Sequence, residues 1–318
     1  MNEIARTRLR VAIALATIYV VWGSTYLAIR YALESFPPLL MGGVRFLTAG
    51  LLLYAWARVR GAERPSLRQW RSAAVIGGFL LLGGNGAVGW AEQTVETGTA
   101  ALLISTVPLW MTLFDWLTEG RRPGRRVLAG LALGIAGVAL LVRPGTAVDP
   151  AGALVLVLGA SSWAWGSLRS RRMDLPASPL VSTALQMICG GALLAAAGTL
   201  RGEVAVFDPA AASLRSVLAV AYLAVFGSIV AFSAYVWLLR KTTPAIVGTY
   251  AYVNPVIAVL LGWLAAGESI SAGTLVATAV IVAGVAAITS GRARRPPRPS
   301  TRRRRETCAA GSAAERAA

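Results

Sequence analysis

The 318-residue sequence contains no histidine and only two cysteines, Cys189 and Cys308. Without histidine there can be no histidine metal site and no histidine proton relay. One cysteine lies in an apolar segment and the other in a basic tail, so they provide neither a disulfide framework nor a metal cluster. We therefore expect no metal site and no cofactor.

Charged residues are also scarce, at 14% of the chain, and hydrophobic residues make up 56%. A soluble domain carries about 25% charged residues. The charges form short clusters between long apolar runs, which favours a membrane protein, because a helix needs roughly 20 mostly apolar residues to cross the hydrocarbon. The net charge of +17 does not indicate a nucleic-acid-binding body, since the arginines lie between apolar segments rather than on one soluble face.

Ten apolar segments predict an all-α integral membrane protein with ten transmembrane helices. The first segment is too long for a signal peptide and has no small-residue cleavage site before Arg30, so we interpret it as a retained helix. The segments run approximately over residues 11–29, 38–57, 72–92, 97–117, 126–142, 152–169, 179–199, 216–238, 244–265 and 271–290.

The basic residues predict the orientation of these spans. With the N-terminus in the cytoplasm, 26 of the 31 Lys and Arg residues fall on the cytoplasmic side and 4 on the opposite side. This distribution follows the positive-inside rule. We predict a multi-pass protein of the cell (inner) membrane with both termini in the cytoplasm.

Residues 292–318 carry nine basic residues and have no apolar face. This composition predicts a disordered cytoplasmic tail. Anionic headgroups of membrane lipids are the expected partner of such a tail. Specific nucleic-acid binding is the less favoured alternative, because basic tails beside membrane spans are common under the positive-inside rule.

The two halves of the chain repeat each other. Each half holds five spans, and an odd number makes the second half enter the membrane from the opposite side. We therefore predict two inverted-topology repeats, residues 1–145 and 146–291, an architecture typical of secondary transporters with a binding site at the membrane midplane. The matching elements include Trp22-Gly23-Ser24 with Trp165-Gly166-Ser167, Pro108 with Pro255, and Trp116-Leu117 with Trp263-Leu264.

Four motifs resemble the EamA family of the drug/metabolite transporter superfamily: residues 22–28 (WGSTYLA), Arg45-Phe46, residues 99–103 (TAALL) before Pro108, and Gly267-Glu268. The resemblance covers about residues 10–290. It implies a five-plus-five inverted repeat and export of small metabolites, often amino acids or related compounds. Gln186 stands where the second half should repeat Arg45, so strict functional symmetry is not expected.

Polar residues at membrane depth are candidate substrate-binding groups, because hydrocarbon offers them no partners. Arg45 lies near the middle of the second span, either as a counter-charge for a substrate carboxylate or as a structural arginine bonded to a neighbouring helix. Asn85, Gln186 and Asn254 lie near the centres of their spans, where interhelical hydrogen bonds are the alternative. Asn254 directly precedes Pro255, which cannot donate a backbone hydrogen bond.

Prolines and aromatic residues complete the candidate site. Pro108 and Pro255 occupy equivalent positions and are the candidate hinges, with a simple packing kink as the alternative. Glu92 and Glu96 flank the outer mouth, and Glu92 is a candidate protonatable group. The aromatic candidates for the wall of a binding pocket, for which an interfacial belt is the alternative, are Trp22, Trp110, Trp163 and Tyr250.

The leading hypothesis is a secondary active transporter that exports a small organic metabolite by alternating access. An importer or antiporter of another small solute is the alternative. A membrane-embedded enzyme is disfavoured, because the chain has few acids at membrane depth and no histidine, and no catalytic residue is predicted. The sequence has no phosphate-binding loop of the Gly-x-x-x-x-Gly-Lys type, so we do not expect ATP to drive the protein directly. A homodimer is left open as the assembly.

Overall fold

The computed structural model of the chain describes residues 3–120, 124–141, 148–242 and 244–293. These ranges fold as helices joined by short loops, and no strand occurs within them. Apart from its first two positions, the predicted tail 292–318 lies outside the described residues, and so does Cys308.

Ten long helical segments follow one another along the described ranges, and a short helix, Glu203–Val206, and a 3-10 turn, Pro209–Ala211, lie between the seventh and the eighth. We label a segment as one helix where a short break or a π-helical stretch interrupts it, as in α3, α4, α8 and α9. The helices are α1 (Glu3–Ala32), α2 (Pro38–Val59), α3 (Leu67–Ala91), α4 (Thr97–Ile104 and Val107–Glu119), α5 (Arg125–Leu141), α6 (Pro150–Ser170), α7 (Pro179–Leu200), α8 (Leu214–Lys241), α9 (Pro244–Val247 and Tyr250–Ala266) and α10 (Ala272–Ala293).

The helices confirm an all-α membrane fold. Seven of them, α1 to α4 and α6 to α8, are long and apolar enough to cross a membrane. Two shorter apolar stretches, Val253–Ala266 and Ala272–Ala287, lie in α9 and α10. The remaining helix, α5, has 17 residues. The count of ten spans therefore stays a prediction.

Helix ends differ from the predicted spans where a cap extends the helix. The third span was expected from residue 72, but α3 begins at Leu67, because Ser66 and Gln69 form a reciprocal capping box. The same helix ends at Ala91, so Glu92 begins the following loop instead of ending the span.

Two pairs of interruptions recur in the two halves. In α3 and α8 the middle turns are π-helical, over Gly78–Asn85 and Leu223–Val230. Such one-residue expansions of a helix are frequent at functional sites. α4 is broken at Ser105 and Thr106, and α9 is broken at Gly248 and Thr249.

Corresponding helices of the two halves pack against each other, which is the pattern that a two-fold axis between the halves produces. Among the described residues, α2 packs against α7, α5 against α10, and α4 against α9. The contact of α1 with α8 and α9 is matched by that of α6 with α3 and α4. Glycines permit the closest approach, since a Cβ on Gly284 of α10 would lie 2.7 Å from the backbone nitrogen of Gly134 on α5.

Two ends of this bundle can be distinguished. We call the end at which α1 begins and α2 ends the basic end, because the loops there carry most of the arginines. At the opposite end α1, α3 and α9 finish and α2, α4 and α6 begin.

Candidate functional site

A central cavity lies among α1, α2, α3, α4, α6, α8 and α9, with about 630 Å³ of space. Its wall is mostly aromatic and aliphatic, with a few polar groups. Six of the predicted substrate-binding residues line it: Trp22, Arg45, Asn85, Trp163, Tyr250 and Asn254.

Four aromatic side chains form a layer at one side of this cavity, and we call them the aromatic layer: Trp22, Trp163, Tyr235 and Tyr250. Trp22 contacts the other three, with ring centroids 5.7 Å from Trp163, 5.0 Å from Tyr235 and 5.3 Å from Tyr250. The Trp22 Nε1–H donates to the carbonyl oxygen of Gly227 at 3.2 Å, in the π-helical part of α8. The layer joins α1, α6, α8 and α9.

Arg45 supplies the positive charge of the cavity. Its side chain is 4% exposed, and its Nε donates to Ser228 Oγ at 2.8 Å. The guanidinium also lies 4.5 Å from the ring centroid of Phe46. No carboxylate lies within 4.0 Å of it in the part of the chain that the structure describes. Because a guanidinium has five N–H donors, Arg45 retains donors that can meet an anion in the cavity.

The π-helical turn of α8 positions the partner of Arg45. Ser228 Oγ donates to the carbonyl oxygen of Leu223, five residues earlier, at 3.0 Å, so the hydroxyl is free to accept from Arg45. A side chain at Gly227 would meet the guanidinium, because its Cβ would lie 2.8 Å from Arg45 Nη2. The lack of a side chain at Gly227 therefore leaves space for the Arg45 guanidinium.

Asn254 and Asn85 provide amide groups to the same cavity. When the Asn254 side chain is oriented so that both its amide oxygen and its amide nitrogen meet suitable partners, Nδ2 donates to the carbonyl oxygens of Tyr19 and Tyr250, each at 3.2 Å. Asn254 thus ties α1 to α9 while it lines the cavity. Asn85 makes one longer bond, from Nδ2 to the carbonyl oxygen of Leu80 at 3.4 Å.

A second pocket opens towards the basic end and has about 950 Å³ of space. Arg171 and Arg240 line it, together with Gln186 and Ser182. Tyr235 also lines it, and this side chain is only 2% exposed. Since the Tyr235 ring contacts three side chains of the central cavity, the aromatic layer lies between the two spaces.

Two predicted binding residues do not line the central cavity. Gln186 lies in the second pocket, where its Nε2 donates to Ser182 Oγ at 3.1 Å. Trp110 packs beside Phe114, with ring centroids 5.9 Å apart, in a cluster between α4 and α6.

The two predicted hinges follow the helix breaks. Pro108 stands in the first turn of the second segment of α4, just after the break. Pro255 lies inside the second segment of α9, five residues after it begins at Tyr250. Both broken helices contribute to the cavity wall.

Sequence reasoning missed four aromatic residues near the site. Tyr26 and Phe46 belong to motifs that carried the family resemblance, which was a usable signal for them. Tyr235 and Phe232 had no such signal, because they lie in an apolar stretch of α8 without a motif. Tyr26, Phe46 and Phe232 line the central cavity, and Tyr235 lines the second pocket.

A family model describes almost the whole of this architecture. The model of the EamA-like transporter family matches twice, over residues 9–143 and 150–290. The chain belongs to the EamA-like transporter family. Its two matches correspond to the two halves of the helix-pairing pattern.

Relatives of this EamA-like chain agree with that assignment. YedA of Escherichia coli K12, described as an uncharacterized inner membrane transporter, is 43% identical over 288 residues, which are 90% of this chain and 92% of YedA. The protein PecM of Dickeya dadantii is 28% identical over 269 residues, 82% of this chain and 86% of PecM. The chain is thus a multi-pass inner-membrane transporter and not an enzyme.

A solved structure shares the fold. One crystal structure aligns with a TM-score of 0.64 at 23% sequence identity, and the alignment covers 90% of this chain and 99% of that one. The helix arrangement is therefore one that an experimental structure also adopts.

Proposed function

We propose that this EamA-like transporter exports small organic solutes that carry a carboxylate, such as amino acids or related compounds, by secondary active transport. Arg45 carries the proposal. It is a buried cation at the cavity wall with a neutral hydroxyl partner and no carboxylate near it among the described residues. An unpaired buried charge is costly, and a carboxylate in the cavity would remove that cost.

The rest of the wall suits an organic body attached to the carboxylate. Trp22, Trp163 and Tyr250 present ring faces and edges, and Asn85 and Asn254 present amides. Pockets for small organic ligands combine a predominantly apolar wall with a few placed polar groups. The combination favours a solute with one apolar and one ionic part over an inorganic ion.

Alternating access is supported by the two spaces and the layer between them. In this conformation the aromatic layer lies between the central cavity and the second pocket. Breaks in α4 and α9, at related places in the two halves, let the segments beside them tilt. We propose ten spans in two inverted repeats, residues 1–145 and 146–291, which exchange their conformations when the transporter reorients.

The proposed direction of transport depends on which end of the helix bundle faces the cytoplasm. The arginine-rich loops favour a cytoplasmic basic end, and we propose that both termini are cytoplasmic and that the basic tail 292–318 binds anionic lipids. The second pocket then faces the cytoplasm, and Arg171 and Arg240 in it attract anionic solutes from that side. This charge favours loading of an anionic solute from the cytoplasm, and the gradient that drives transport sets the net direction. A homodimer is compatible with the proposal and is not required by it.

Ligand-induced stabilisation of purified protein tests the carboxylate. The protein in detergent is heated with each standard amino acid and, in parallel, with the matching amino-acid amide. A binding ligand stabilises by about 2.7 kcal/mol at a hundredfold excess over Kd. We expect stabilisation by a subset of the acids and none by their amides.

Two variants make the test specific to Arg45. Arg45→Gln should lose the stabilisation by the acids, because it removes the cation and keeps a polar side chain. Arg58→Gln, on the same helix but bonded to Ala62 at the basic end, should keep it. Equal stabilisation of wild type and Arg45→Gln would contradict the proposal.

A further inference from the structure

The loop after α3 buries a carboxylate that has no hydrogen-bond partner among the described residues. Glu92 follows the span Leu67–Ala91 at the opposite end of the bundle and is only 4% exposed. Neither of its carboxylate oxygens accepts a hydrogen bond from the described residues. An ionised carboxylate in this position would be costly, because it has lost water and gained no donor. A proton on Glu92 removes that cost.

The neighbouring carboxylate has the reverse environment. Glu268, just after α9, accepts from the backbone N–H groups of Thr97 at 2.8 Å and Gly98 at 3.3 Å. These are the first N–H groups of α4, where the helix dipole favours an anion. Arg30 Nη1 lies 3.6 Å from Glu268 Oε1. Glu268 therefore has the hydrogen-bond donors and the nearby cation that Glu92 lacks among the described residues.

The groups around Glu92 come from every helix that meets there. Glu268 and Arg30 act on its charge directly, and Glu92 in turn acts on Tyr26 of α1. Asp149 at the start of α6 is engaged by Thr94 and by backbone N–H groups of its own helix. Glu96, four residues along the chain, is exposed and is influenced by the same two charges, those of Glu268 and Arg30.

Glu92 is also connected to the central cavity. Its backbone N–H donates to the carbonyl oxygen of Val88 one turn earlier, and Val88 lines the cavity. Tyr26, which feels the charge of Glu92, lines the cavity as well. A change of charge on Glu92 therefore changes the electrostatic field at Tyr26, a side chain of the cavity wall.

We propose that Glu92 is a proton-binding site, through which this transporter couples solute export to the proton gradient. This inference rests on the proposed function. In each cycle Glu92 binds one proton from the outer side as O–H and releases it towards the cytoplasm after reorientation. The ligand is a proton and not a metal ion, because no group of three or more potential metal ligands occurs among the described residues, and Arg30 already supplies a cation.

The electrostatics of the loop agree with this assignment. Burial raises the pKa of Glu92 well above its ordinary value, the charge of Glu268 raises it further, and Arg30 acts in the opposite sense. A group whose pKa is raised on folding contributes stability that is complete below its unfolded pKa and is lost as the pH rises through its folded pKa. Glu92 should therefore stabilise the folded protein at acidic pH and cease to do so at alkaline pH.

Infrared difference spectroscopy of purified protein, titrated with acid and base alone, tests the proton site without any solute. Wild type should show a protonated carboxyl band that disappears only well above the ordinary pKa of glutamic acid. Glu92→Gln should lack this band and the corresponding pH dependence of thermal stability, while Glu96→Gln, the matched control four residues along, should keep both. A band that persists in Glu92→Gln would overturn the proposal.

Proteoliposomes with an acidic lumen, placed in a radiolabelled mixture of the standard amino acids, test the coupling. Glu92→Gln should lose accumulation driven by a pH gradient and retain solute exchange, in which no net proton moves. Gradient-driven accumulation at the wild-type level would overturn the coupling. Failure of wild type to move any amino acid would contradict the proposed function and leave the infrared titration as the test of Glu92.

Discussion

Arg45 is the residue on which recognition depends most, because the planar fork of a guanidinium matches a carboxylate in geometry as well as charge. Arg45→Lys keeps the charge and loses the fork. A hydrogen bond to a charged group contributes about 1.5–3 kcal/mol, so we expect KM for a carboxylate solute to rise roughly 10- to 100-fold. Transport kinetics in proteoliposomes measure this change. A loss of folded protein as large as the loss of transport would favour a structural role instead.

Asn254 has a structural role beside its place in the cavity wall. Asn254→Ala removes the two hydrogen bonds to Tyr19 and Tyr250. Only the bond to Tyr19 joins two helices, because Tyr250 lies one turn earlier in α9. An interhelical hydrogen bond in a membrane contributes about 0.6 kcal/mol, with a maximum near 1.7, and we expect a loss of about this size, measured as a lower thermal midpoint in detergent without ligand. Asn85→Ala, which loses one bond of 3.4 Å, is the control and should cost less. If both variants lost equal stability, the hydrogen bonds of Asn254 would not be stronger than that of Asn85.

Depth in the membrane could be predicted at the residue scale, but the direction of a side chain around its helix could not. Trp22, Trp163 and Gln186 were all expected at midplane depth. The two tryptophans line the cavity, whereas Gln186 lies in the second pocket. A helix that is apolar on all sides gives no hydrophobic face from which its rotation could be read.

Close helix packing sets the geometry at the scale of elements. A Cβ on Gly284 would lie 2.7 Å from Gly134 N and 2.8 Å from the carbonyl oxygen of Gly130. These are backbone atoms, so Gly284→Ala must push α5 and α10 apart. Overpacking typically costs about 1–3 kcal/mol, and thermal unfolding measures it. Gly124→Ala, where nothing lies within 4 Å, should cost less, since it changes only the cap that begins α5; a Gly284→Ala that costs no more would contradict the described contact.

The sequence indicated which helices are broken, but it did not indicate where the breaks lie. The proline positions correctly directed attention to α4 and α9, because Pro breaks backbone hydrogen bonding. The breaks themselves lie before the prolines, at Ser105 and Gly248. The π-helical turns had no signal, since one extra residue in an apolar turn changes neither composition nor hydropathy.

The topology of the whole molecule can be tested by labelling. In a background without cysteine, single cysteines at Glu63 and Asp149 should react with a membrane-impermeant thiol reagent from the cytoplasmic and the outer side, respectively. The positive-inside distribution is the reason for this expectation. Labelling of both positions from the same side would contradict the span count and the inverted repeat.

The repeat was readable at the scale of the molecule because tryptophan, proline and glycine tolerate few replacements at packing positions. Trp22-Gly23-Ser24 and its counterpart preserved the relation between the halves. Helix pairing such as α2 with α7 depends on contacts far apart in sequence, which periodicity does not contain. The position of the cavity followed from that pairing and not from any motif.

Transport of an amino acid by wild-type protein, compared with transport of its own amide, is the decisive test of carboxylate recognition by Arg45. Both solutes have nearly the same size and the same apolar part, and only the acid can pair with Arg45. Counterflow should be measured in proteoliposomes for each acid that stabilises the purified protein. We expect saturable counterflow of the acid and none of the amide. Equal counterflow of acid and amide would contradict carboxylate recognition by Arg45.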